Sequence, residues 1–233
     1  VMLVFNTMLL KENFENGTFS VAVFGVIYTM STIPGAMFDG AGAAASTVIS
    51  ILGGEKDWKG MLAVYHDGLR NVAAAGMLMA LFFAAGAKNI LVFFGLNDGQ
   101  ALETATVAFR IYALSVALAG VNVVTTSFWQ TIGKTRCASG LSVLRNFILM
   151  LVAGFLLIEK KGIVGLALVY VISEGICLLL VLAIQIFGKI KDYIKEKYSF
   201  TNRVFEEYYP IEEGSMEKMS QNLEGLCDEW NLD

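Results

Sequence analysis

The sequence predicts an all-α fold: a polytopic transmembrane bundle of about five and a half helical spans, plus a short soluble tail. Three observations carry that expectation. Hydrophobic residues make up 56% of the 233 and charged ones only 16%, with a mean hydropathy of +0.62. Soluble domains run near 45–50% apolar and about 25% charged. Apolar runs of roughly 20 residues, enough to cross about 30 Å of hydrocarbon, recur along the chain. The charge is also divided. Residues 206–233 hold nine acids and one base, so the overall net charge of −4 leaves +4 for residues 1–205. Two stretches of such different balance point to two different solvents.

Taken in order, residues 1–10 (VMLVFNTMLL) are apolar but half a span long, and read as the outer half of a truncated helix. No basic flank precedes them and no small-residue cleavage site follows, which excludes a signal peptide. Residues 11–17 (KENFENG) make the first polar break. Residues 18–53 carry no charge except Asp39, and no polar turn divides them, so they predict one long or bent helix. Pro34, lacking a backbone donor, is expected to kink it. A polar loop at 54–59 (GEKDWK) leads to a third span over 61–86, whose first turns carry His66, Asp67 and Arg70. A separate short apolar stretch at 89–95 precedes a turn at 96–100 (LNDGQ). The fourth span covers 101–132, the fifth 138–158 and the sixth 163–188, with GKTR and EKKG between them.

The domain reading is therefore a transmembrane helical lobe over 1–190, a basic juxtamembrane linker over 191–205, and the truncated start of a cytoplasmic domain over 206–233. Within that last stretch Met216, Met219, Leu223, Leu226 and Trp230 recur at helical spacing. Lys and Arg in short loops orient a bundle. Lys56, Lys59, Lys134, Arg136, Lys189, Lys191, Lys195 and Lys197 fall on one side; Lys11, Lys88, Lys160 and Lys161 fall on the other. The richer side is placed in the cytoplasm, which makes this a multi-pass protein of the cell's inner membrane with a cytoplasmic tail. The basic run at 189–197 (KIKDYIKEK) suits an anionic inner leaflet.

A carboxylate at membrane depth is costly unless paired, protonated or wet, so it is a functional candidate by default. Asp39 and Glu174 qualify as ion- or proton-coupling residues. Gly35, Gly42, Ala43 and Ser46 share the Asp39 face, so that face can pack closely on a neighbour or line a wet cavity. Ala167, Tyr170 and Cys177 share the Glu174 face. Either acid could instead serve packing alone, hydrogen-bonded to the next helix. Arg145 is expected to snorkel to the cytoplasmic surface or pair with a tail acid, with lining of a pathway as its functional alternative. Asn122, Thr125, Thr126 and Gln130 on the fourth span could line a polar path or bridge helices. One His and three scattered Cys supply no metal-ligand spacing, so no metal and no cofactor is expected beyond a coupling H⁺ or Na⁺. No phosphate loop, nucleophile elbow or H-E-x-x-H motif is present, which argues against an enzyme.

The succession AAASTVISILGGEKD (43–57), FWQTIGK (128–134), LSVLRN (141–146) and GIVGLALVYVISE (162–174) resembles the multidrug and toxic compound extrusion (MATE) family. The resemblance covers residues 1–190 and implies one lobe, the C-terminal one, of a two-lobe transporter. It implies alternating access, with H⁺ or Na⁺ antiported against an organic cationic or amphipathic solute. The partners so implied are membrane lipid, an N-terminal lobe of the same chain and a small organic solute, with no nucleic acid. Some members bind cations through acids on the first and fourth helices of this lobe. The fourth span here has none at depth, so that site is not carried over. The tail stretch SMEKMSQNLEGLCDEWNLD resembles the opening of an anti-sigma-factor-type, histidine-kinase-like ATPase domain. Two other functions stay open: a non-transporting sensor that reports to the tail, and a flippase for lipid-linked precursors. The apolar character of most spans argues against a headgroup-sized path.

Overall fold

In hydrocarbon a backbone must satisfy its own polar groups, and a helix does so within one segment. The computed structural model describes residues 1–10, 17–97, 99–187, 190–198 and 221–222, and among these the regular elements are helical throughout. They are α1 (Met2–Leu9), α2 (Gly17–Gly54), α3 (Trp58–Phe93), α4 (Gly99–Thr131), α5 (Thr135–Val143), a π-helix (Leu144–Leu149), α6 (Met150–Phe187) and α7 (Ile190–Tyr198). The chain divides into two compact units, Val1–Ser199 and Phe200–Asp233. Almost all of the second, including the expected helix at 215–230 and the ATPase-like opening, lies outside the described residues.

Four stretches are long and apolar enough to cross a membrane: Gly17–Gly54, Trp58–Phe93, Gly99–Thr131 and Thr135–Gln185. The last has 51 residues, about 76 Å as one rod, which no bilayer accommodates. It is broken at Gly162, whose φ of 55° and ψ of −130° suit glycine alone. Beyond the break the chain folds back. A Cβ on Gly165 would stand 2.2 Å from the carbonyl oxygen of Leu157, so the two legs meet backbone to backbone. The fifth and sixth expected spans are these two legs. The half-span at the N-terminus is α1, docked where the Phe5 ring meets Gly154.

The third span differs from expectation. Residues 89–95 were a separate stretch in the sequence, but α3 runs unbroken to Phe93. No glycine or proline divides residues 87–93, and a polar Lys88–Asn89 pair costs little at a helix end near the interface. Helix α2, with Pro34 inside it, is one continuous element over Gly17–Gly54, as the long or bent helix expected there.

Helix α4 sits at the centre. Half of its most apolar stretch is buried, against 28–33% in the other spans, which fits its packing on α2, α3, α5 and α6. Leu78, Leu81 and Phe82 of α3 stay outward, as a lipid-facing surface requires. Inside, a chain of edge-on rings runs Phe83–Phe109–Tyr112–Tyr170, with centroids 5.4–5.9 Å apart. The Phe38 ring of α2 is wedged between two glycines. A Cβ on Gly120 would fall 2.9–3.2 Å from three of its atoms, and one on Gly76 would fall 3.3 Å from its Cζ. Small residues facing an aromatic ring let helices approach closely, which is how membrane helices gain packing energy. At one end α7 buries Ile190 and Ile194, while Lys197 Nζ donates to the Ile132 carbonyl over 3.0 Å.

Candidate functional site

Phe38 turns inward on α2, so the next residue, Asp39, turns to a different wall of the lobe, where it is exposed. It lines a cavity of about 230 Å³ with Thr126, Ser127 and Gln130 of α4, Ser142 of α5, and Arg145 and Asn146 of the π-helix. Volume and polarity suit several waters, at about 30 Å³ each. Gly42, on the Asp39 face, packs on Ser127, so closely that a Cβ would stand 2.6 Å from its Oγ. Both uses expected of that small-residue face, close packing and a cavity wall, are therefore present.

A second cavity of about 180 Å³ shares Val123, Arg145 and Asn146 with the first. It continues between α2, α4 and α6 past Ser31, Phe38, Tyr112, Tyr170, Ser173 and Glu174. The shared wall is the π-helix. Its wider turn is rare and is frequent at functional positions. Here it puts two consecutive residues, Arg145 and Asn146, on the same two cavities, and none of its six residues is buried.

Glu174 is 8% exposed. Arg145 Nε lies 3.0 Å from its Oε1, an ion pair by distance whose N–H is not aligned as a hydrogen bond. Asn122 Nδ2 donates to the other carboxylate oxygen over 2.7 Å and to the Glu174 backbone carbonyl over 3.0 Å. A buried charge needs a counter-charge and filled lone pairs, and Glu174 has both. Two neighbouring polar atoms, Asn122 Oδ1 and Ser173 Oγ, are buried without a hydrogen-bond partner among the described residues. Asp39, by contrast, has no ion-pair partner among the described residues.

The sequence-predicted residues therefore divide. Asp39, Thr126, Gln130 and Arg145 meet on one cavity, and Glu174 joins Arg145 on the next. Asn122 is fully buried and bridges α4 to α6, the helix-contact alternative rather than a cavity wall. Arg145 turns into the bundle instead of snorkelling, because the hairpin at Gly162 brings the buried Glu174 carboxylate beside it; the tail acids, its other expected partners, lie outside the described residues. Thr125 bonds Tyr65 across 3.0 Å, and Gln185 Nε2 donates to the same Tyr65 hydroxyl. This second polar node, with Tyr65 stacked on Phe128 at 4.1 Å, carried no signal beyond three isolated polar residues in apolar runs. Asn146 and Ser173 were also missed, although their positions in apolar spans were visible. Among the described residues no cluster of His, Cys, Asp and Glu could hold a metal.

Comparison with known proteins gives a consistent picture. Residues 2–156 match the MatE family model. Among solved structures, an outward-facing multidrug resistance MATE family transporter of the MOP superfamily is similar at TM-score 0.71 and 16% identity, over 84% of this chain and 43% of that one. A MATE in complex with MaD3S is similar at 0.70 and 19%, over 89% and 45%. A MOP superfamily transporter from Pyrococcus furiosus, described as having a binding pocket of reversed polarity that suggests a different function, is similar at 0.70 and 16%, over 83% and 43%. At these identities the likeness is one of fold. The chain spans less than half the length of each of these structures. No curated protein matches it.

Proposed function

Because the chain belongs to the MatE family, we propose that it forms one lobe of a secondary active transporter, the C-terminal lobe, working with an N-terminal lobe by alternating access. It antiports H⁺ or Na⁺ against an organic cationic or amphipathic solute, from the cell's inner membrane and with its tail in the cytoplasm. The observation that supports this reading is a pair of cavities that share Val123, Arg145 and Asn146, one lined by Asp39 and the other by Glu174, which we read as parts of one path. Two carboxylates and one guanidinium give that path a net charge of −1 when all are ionised, which favours a cation over an anion. Asp39 and Glu174 are its coupling residues, and Thr126, Gln130 and Arg145 line the way. The Lys-rich loops at 56–59 and 134–136 support the orientation.

The test is efflux of ethidium from liposomes holding the complete protein, under an imposed proton or sodium gradient. Efflux should collapse when the gradient is dissipated, and Glu174→Gln and Asp39→Asn should each uncouple it. Full gradient-driven efflux in both variants would remove them from the mechanism. Absence of flux together with a ligand-dependent change in the tail would select the sensor instead, and movement of a lipid-linked precursor would select the flippase.

A further inference from the structure

We propose that Arg145 is a shared counter-charge that alternates between Glu174 and Asp39, so that the lobe holds one monovalent cation at a time, on whichever carboxylate the arginine has left. This rests on the transporter reading for its purpose, but its geometry stands separately. Arg145 is on the wall of both cavities, the one that holds Glu174 and the one that holds Asp39. In the Asp39 cavity those two are the only charged side chains among the lining residues. Its contact with Glu174 runs from Nε to Oε1 at 3.0 Å without hydrogen-bond alignment, whereas an aligned bidentate fork is what makes an Arg–carboxylate pair strong and geometrically fixed. Asp39 offers a second partner of the same chemistry on the wall of the same cavity. The π-helix that carries Arg145 is the kind of local irregularity that concentrates at moving or reacting positions.

The charge count then sets what the site can take. With Arg145 on Glu174, the Glu174 site is neutral and Asp39 is left with one uncompensated negative charge. With Arg145 on Asp39, the vacancy for positive charge passes to Glu174, whose second oxygen Asn122 already holds. In either state the trio lacks one positive charge. A proton, a sodium ion or the ammonium of an organic solute can supply it, and a second cation cannot be held. An incoming cation and the arginine compete for each carboxylate, so the two half-sites are filled in turn and never together. That is the exclusivity an exchanger needs.

The test uses the complete protein in lipid nanodiscs and two readouts. The first is the thermal unfolding midpoint, which needs no ligand. Asp39→Asn should leave it unchanged, since Asp39 is unpaired. Glu174→Gln should lower it modestly, because Arg145 transfers to Asp39. Asp39→Asn with Glu174→Gln should lower it by clearly more than the two singles added, because the arginine is then stranded. Should that double variant fail to accumulate, adding Arg145→Met should recover it. Additive effects overturn the shared counter-charge whatever the transport result. The second readout is equilibrium binding of sodium-22 and of tetraphenylphosphonium, with proton release followed in parallel to tell the three cations apart. The wild type should hold one, Glu174→Gln should lose binding at least tenfold although Asp39 is intact, and Glu174→Gln with Arg145→Met should regain it. Wild-type affinity in Glu174→Gln, or no recovery in the pair, overturns the proposal. Non-additive unfolding with no cation bound by the wild type would leave the arginine switch standing and refute the transporter reading instead.

Discussion

Gly120→Ala tests whether the wedge of Phe38 between α3 and α4 sets the spacing of the lobe. Relaxed carbon–carbon contacts lie at about 3.5–4.0 Å, and the added methyl would meet three ring atoms of Phe38 at 2.9, 3.0 and 3.2 Å. The ring must therefore move by more than half an ångström. On the α3 side Gly76 stands against the same ring and close to the Val116 carbonyl and Ala117 Cα, so the ring can yield only toward the cavity that it borders. Overpacking of a well-filled interior costs about 1–3 kcal/mol, and a ring held by a glycine of each neighbouring helix but bordering a cavity falls within that range. The measurement is unfolding of the purified protein by SDS titration in mixed micelles. Phe38→Leu alone removes a ring that is 1% exposed and should also destabilise. Combined with Gly120→Ala, however, it relieves the clash, so the pair should cost less than the sum by at least about 1 kcal/mol, as contacting residues do in a double-mutant cycle. A neutral Gly120→Ala, or strict additivity of the pair, would refute the wedge.

Two other predictions follow from the packing. Gly162→Ala should destabilise by about 1–3 kcal/mol through backbone strain at φ 55°, and Gly165→Ala by more, since its methyl would fall 2.2 Å from the Leu157 carbonyl; comparison of folded yields by size exclusion orders the two, and a Gly165→Ala protein as stable as wild type would show that the hairpin is more open. Tyr65→Phe removes the hydroxyl shared by Thr125 and Gln185 and should cost roughly 0.5–2 kcal/mol, the range of hydrogen bonds between membrane helices; a loss no larger than that of an outward residue such as Leu78→Ala in the same titration would show the node to be idle.

Much of the fold was legible because one physical demand dominates it. Lipid requires long apolar helices with polar turns between them, and the turns at Lys56–Asp57, Lys134 and Gly162 are marked by charge or glycine. The exception, the polar residues Lys88 and Asn89 inside α3, reads as a break because composition alone does not distinguish a loop from a helix end at the interface. The site was half legible. Asp39 and Glu174 stood out because an acid in an apolar run is conspicuous, and Thr126 and Gln130 as polar residues in the fourth apolar span; the structure sets both on the Asp39 cavity. Arg145 was visible as a charge but its partner was not. Ion pairing depends on which helices adjoin, and 29 positions separate it from Glu174. Asn122, Ser173 and Tyr65 carry the same limitation, since a polar residue in a span looks alike whether it lines a cavity or bridges two helices.

The sequence by itself determined that this chain spans a membrane, roughly where each helix begins and ends, and which carboxylates would have to be accounted for, because hydropathy and charge are local quantities summed along one segment. The tertiary structure decided what those carboxylates do. It closed the hairpin at Gly162 that brings Arg145 to Glu174, opened the π-turn that sets Arg145 and Asn146 on two cavities, and left Asp39 without an ion-pair partner among the described residues. Counter-charge and access to water belong to neighbours in space, and only the packing of helices supplies those neighbours.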